Sequence, residues 1–136
     1  MRGVAGALLG AKSEVNLLDM EASIEHLGRG TPKGLDTLLI VVEPYYRALE
    51  TAGRMAPLAR ELGIPGILAI ANKLRDAEDA RVIRDYCASH QLELVAELPF
   101  DEDVRDADRR GRAVIDHAPE SSTVRLVGEL GRQLMR

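Results

Sequence analysis

The sequence predicts an α/β fold with a mostly parallel sheet and flanking helices, on three observations. Apolar, β-rich segments recur along the chain, segments of helical period separate them, and polar residues close each apolar segment. Regular alternation of strand and helix implies right-handed crossovers between parallel strands. At 136 residues the chain is about one domain, with enough length for a single core. There is no internal repeat, low-complexity tract or second domain, so residues 1–136 are read as one unit.

The elements follow in order. Met1–Lys12 places one basic residue before an apolar run, faintly like a signal peptide. It has no small-residue cleavage site before charge returns, and reads better as the remnant of an amphipathic helix. No apolar stretch approaches membrane-spanning length. Val15–Asp19 is the first predicted strand. Thr37–Glu43 is the strongest, because a continuous branched run marks a strand buried on both faces. A helix is predicted over Arg47–Leu62, with Leu49, Ala52, Ala56, Ala59 and Leu62 at helical spacing and Gly63 as its stop. Pro57 inside that run predicts a kink or break. Gly66–Ala71 is the third strand, Ala77–His90 a helix capped by Asp76, and Glu93–Leu98 the fourth strand. Asp101–Arg110 and Ser121–Met135 close the chain as helices, the last with Val124, Val127, Leu130 and Leu134 on one stripe.

Composition excludes several function classes. Net charge is −4 with only three Lys, which argues against a nucleic-acid-binding surface. Aromatics make up 3% and Trp is absent, so there is little to stack against exposed bases of a strand. The run Arg105-Asp106-Ala107-Asp108-Arg109-Arg110 interleaves charges as a solvated helix face does. The lone Cys87 rules out an internal disulfide and fits a reducing cytoplasm. Its helical setting marks a packing thiol, the alternative being one thiolate per subunit on a metal shared across a dimer.

In parallel sheets, ligands bind beyond the carboxyl ends of the strands. Those ends here are Asp19, Glu43-Pro44, Asn72-Lys73 and Pro99-Phe100-Asp101, a polar set that converges on one edge. A carboxylate at a strand end before a glycine-bearing turn, as at Asp19, either faces a phosphate-bound Mg²⁺ or caps the turn. Glu21 and Glu25 either orient a water or are solvated. His26 has no second His or Cys at ligand spacing, so no metal site is predicted there. The Asn72 amide offers a donor and an acceptor to a purine edge, and the Lys73 stem can pack on the ring. Pro99 fixes the following loop and Phe100, the only Phe, supplies apolar area beside the same base. Asp101 either flanks that base or caps the next helix. Gly6–Ser13 nearly fits a phosphate loop but fails at Ala11, and a strand rather than a helix is predicted after it.

The stretch Asp19-Met20-Glu21-Ala22-Ser23-Ile24-Glu25-His26-Leu27-Gly28-Arg29-Gly30-Thr31 resembles the switch II segment of MinD/ParA-type P-loop ATPases. Within these it is most similar to the CooC type, which assists nickel insertion into carbon monoxide dehydrogenase. The resemblance continues through Val41-Val42-Glu43-Pro44, Ala71-Asn72-Lys73-Leu74-Arg75-Asp76 and Leu98-Pro99-Phe100-Asp101, with Val104 and Ala107 beyond. It implies ATP and Mg²⁺ as cofactors, Asp19 near Mg²⁺, Asn72 reading adenine, and Pro99, Phe100 and Asp101 beside the base. It also implies a homodimer with ATP between subunits and a metalloenzyme client.

The departures bear on activity. The phosphate loop with its two lysines and the water-activating switch I aspartate belong to an N-terminal half of the family domain that these residues do not match. The nickel-binding Cys-x-Cys is absent, and Ser23 stands where the family usually carries a glycine that meets the γ-phosphate. The chain therefore reads as a truncated ATP-binding protein with little or no hydrolysis alone, paired with a second copy or with a partner supplying the missing half. The alternative is a non-enzymatic interaction or dimerisation module derived from that ATPase. Loss of the intervening phosphate-loop strand is expected either to leave a gap beside Thr37–Glu43 or to pair that strand with Val15–Asp19, exposing apolar surface.

Overall fold

The computed structural model describes residues 15–20 and 34–135. Three parallel strands form its sheet in the order β1 (Thr37–Val42), β2 (Gly66–Leu74), β3 (Glu93–Pro99). Helix α1 (Tyr46–Glu61) connects β1 to β2, and α2 (Ala77–Ser89) connects β2 to β3. After β3 come α3 (Glu102–Arg109), a single turn α4 (Val114–His117) and α5 (Ser122–Leu134).

Strand alternation decides which side chains meet which helices. Ile40 and Val42 of β1 and Ala69 and Ala71 of β2 point to one face, where Leu49, Ala52, Met55, Ala56 and Ala59 of α1 cover them. Ile83 and Cys87 of α2 join the same cluster, both almost wholly buried. Small residues on the sheet let the helices lie close, and Ile83 and Val42 are its largest fully buried side chains. The opposite face holds Ile70 and Leu98 under Leu126 and Leu130 of α5. Leu39 of β1 packs against that cluster, while Val41 on the same strand is 59% exposed.

Caps set the helix starts. Asp76 accepts from the Asp79 N–H at 2.9 Å, Asp101 from Asp103 N–H at 3.0 Å, and Ser121 from Val124 N–H at 3.3 Å. At the end of α1, Gly63 takes φ +74, the left-handed turn that glycine enters without a Cβ penalty.

Several expectations are corrected. Val15–Asp19 has no regular secondary structure, so the sheet has three strands among the described residues rather than four. A strand's stability lies in its neighbour, and no described strand pairs with this segment. Helix α1 runs through Pro57 without a break. Proline costs one backbone hydrogen bond there, while Ala52, Met55, Ala56 and Ala59 stay buried on either side of it. On α5, Leu130 is buried but Val127 and Leu134 of the predicted stripe are exposed. Glu21, Ser23, Glu25, His26 and the Gly6–Ser13 stretch lie outside the described residues.

Candidate functional site at the carboxyl ends of the strands

Parallel pairing puts the carboxyl ends of β1, β2 and β3 side by side. The end of β2 departs from a regular ladder. Ala71 pairs with Glu97 and Leu74 with Pro99, so Asn72 and Lys73 oppose Leu98 alone. This is a bulge, which turns side chains out of the pleat. Lys73 takes φ +58 within it, a left-handed conformation that costs a side-chain-bearing residue about 1 kcal/mol.

The bulge aims both side chains. Asn72 Oδ1 accepts from the Lys73 N–H at 3.0 Å, which fixes the amide and turns its NH2 away from that bond. Lys73 Nζ crosses to β1 and donates to Glu43 Oε1 at 2.7 Å. Beyond the bulge the strands close again, with Phe100 N–H donating to the Leu74 carbonyl at 2.7 Å. Next to it, the Arg75 guanidinium lies over the Phe100 ring, 4.1 Å from its centroid. The Arg75 N–H donates to Asp79 Oδ2 at 2.9 Å, so the first turn of α2 anchors that backbone.

Asp101 is committed to the fold. One carboxylate oxygen caps α3, and the other accepts from the Ser122 hydroxyl at 3.0 Å and from Thr123 N–H at 3.1 Å. Partial burial works against ionisation, but the bonds from Thr123, Ser122 and Asp103 outweigh it and hold the carboxyl below the usual aspartate range.

The structure thus brings together Glu43, Asn72, Lys73, Pro99, Phe100 and Asp101. It does not bring Asp19 into that set: the residue is exposed, on an irregular segment, with no bond to the others among the described residues. No group of three His, Cys, Asp or Glu among the described residues could hold a metal ion. What the strand ends offer is an amide held by its own backbone, a lysine paired with Glu43 and an aromatic ring under a guanidinium. Sequence reasoning missed the contact of Arg75 with Phe100 and the bulge. Neither leaves a local signal, since both depend on how β3 lies against β2. A shallow concavity of about 300 Å³ lies apart, between Val95 and Glu97 of β3 and Leu126 and Glu129 of α5.

No family model matches the sequence. The chain is 44% identical over 112 residues to the carbon monoxide dehydrogenase accessory protein CooC of Rhodospirillum rubrum, covering 82% of this chain and 42% of that protein. It is 39% identical over 115 residues to an uncharacterized ATP-binding protein of Methanocaldococcus jannaschii, covering 84% of this chain and 44% of the relative. The fold matches a ParA family ATPase from Chlorobium tepidum TLS with a TM-score of 0.68 and 25% identity, over 82% of this chain and 47% of that one. The chain belongs to the CooC-type branch of the MinD/ParA ATPases. The MinD cell division protein of Aquifex aeolicus shares the fold at a TM-score of 0.65 and 20% identity, over 79% of this chain and 48% of that one. The chain spans less than half the length of these relatives. Among its described residues no helix is long and apolar enough to cross a membrane.

Proposed function

We propose that this CooC-type chain is the base-binding part of an ATP-dependent maturation factor in the cytoplasm, serving a metalloenzyme. The observation that carries the reading is the bulge at Asn72-Lys73, which fixes the Asn72 amide at the mouth formed by three strand ends. The amide reads the purine edge, Lys73 packs its stem on the ring, and Pro99 and Phe100 shape the loop on the base's side of the site. Asp101 contributes by holding the loop in place. ATP is the ligand and Mg²⁺ its companion ion, with Asp19 the residue that would face the metal.

Positioning and charge neutralisation supply nearly all the rate in phosphoryl transfer. The described residues contain neither a phosphate loop nor a water-activating acid, so this chain alone hydrolyses ATP at the background rate. Hydrolysis requires a phosphate-loop half, supplied by a partner chain or by further residues of a longer protein, and the assembled unit works as a dimer.

Calorimetry with ATP, with and without Mg²⁺, tests the reading. Wild type should bind weakly, Asn72→Ala should lose that binding, and Mg²⁺ should change little without the missing half. Unchanged binding by Asn72→Ala, or turnover that depends on Asp19, would overturn it.

The exposed Val41 favours a second reading, a non-enzymatic interaction or dimerisation module. Failure to bind ATP even with a phosphate-loop half supplied, together with a stable dimer, would favour that module.

A further inference from the structure

Arg75 is set apart by its seat on an aromatic ring, where the neighbouring cations are held by carboxylates. Lys73 pairs with Glu43, Arg81 with Glu78 and Asp85, Arg84 with Glu97, and Arg105 with Glu102. Arg75 has no ion pair among the described residues, although Asp76 and Asp79 lie close in sequence. Those two carboxylates take backbone N–H groups instead, Asp76 from Asp79 and Asp79 from Arg75 itself. The guanidinium goes to the Phe100 ring.

Both members of this stack are fixed at the backbone, Arg75 through Asp79 and Phe100 through the Leu74 carbonyl. The pair bridges the ends of β2 and β3, three residues after Asn72 on the same strand end. A guanidinium is planar and weakly hydrated, so it holds one π face against a ring while its other face remains available to a second ring.

We propose that Arg75 is a base-stacking residue: from its seat on Phe100, its outer face supports the purine whose edge Asn72 reads. The inference rests on the nucleotide reading above and adds to it a residue that senses the base and not the phosphates. The order of the stack would be Phe100, guanidinium, purine. It acts through the plane of the side chain, so charge alone does not substitute.

The test is amide chemical-shift titration of the 136-residue chain with AMP and, separately, with ribose 5-phosphate, for wild type, Asn72→Ala, Arg75→Ala and Arg75→Lys. Spectral dispersion reports that each variant is folded. Stacking predicts that Arg75→Ala and Arg75→Lys both weaken AMP about tenfold, with ribose 5-phosphate unchanged. Restoration by Arg75→Lys, or equal loss of both ligands, would show a phosphate contact and overturn the proposal. AMP binding that Asn72→Ala weakens and Arg75→Ala does not would refute stacking while leaving the nucleotide reading intact. No AMP binding by wild type would sink both.

Discussion

The Asp101 carboxylate accepts a hydrogen bond from the Ser122 hydroxyl at 3.0 Å, joining the loop after β3 to a helix that begins 21 residues later. Its other oxygen meanwhile caps α3. One side chain thus sets the start of two helices and the course of the Pro99-Phe100 loop between the sheet and both of them. Replacing Asp101 with Ala should cost about 2 kcal/mol, the loss of an N-cap together with the partners it leaves unpaired. Urea denaturation would measure it, and Asp101→Asn should fall between the two.

The same carboxylate makes stability depend on pH. Its folded-state value is depressed, so its contribution is complete above the ordinary aspartate value of about 4 and is lost as pH falls through the lower folded value. The urea midpoint of wild type should drop across that acid window more steeply than that of Asp101→Asn. Parallel curves would show that Asp101 is not the group responsible.

The left-handed backbone at Lys73 predicts an inverted substitution order. Lys73→Gly should be more stable than Lys73→Ala by about 1 kcal/mol, because both lose the Glu43 pair and only Gly is relieved of strain. Thermal melts of the two variants settle the point.

A Cβ at Gly53 would collide with the Tyr86 hydroxyl, and Tyr86 is held by stacking on His90 at 3.9 Å between ring centroids. Gly53→Ala should therefore destabilise α1 by about 1–2 kcal/mol despite its better helix propensity. In a Tyr86→Phe background, which removes the closest atom, that cost should fall by more than half. A double-mutant cycle measures the coupling.

Val41 should govern self-association. It is 59% exposed on strand β1, which among the described residues pairs with β2 alone, and an unpaired strand edge can take another chain. Val41→Lys should leave the melting temperature nearly unchanged while lowering the light scattered at high protein concentration. Equal scattering would place the association surface elsewhere.

Much of the fold was legible because its signals are local. The branched run of β1, the acids Asp76 and Asp101 at their caps and the stop at Gly63 each act within a few residues. Where the reading failed, the deciding partner was distant. Val15–Asp19 has the composition of a strand but no described strand beside it, and Pro57 is tolerated because tertiary burial holds the helix on both sides. The convergence of Glu43, Asn72 and Phe100 followed from parallel topology, which alternation alone predicts. The Lys73 bulge and the seat of Arg75 arise from the fit of β3 on β2, and no spacing along the chain encodes that fit.

Cys87, at 2% exposure between α2 and the sheet, makes this chain its own clock for opening. Burial shields the sulfur and pushes its thiol pKa up, so the folded protein resists an alkylating reagent. Any labelling must wait for α2 to lift from the strands, and the labelling rate then counts those excursions directly. For the same reason the thiol is no donor at a surface between two folded copies.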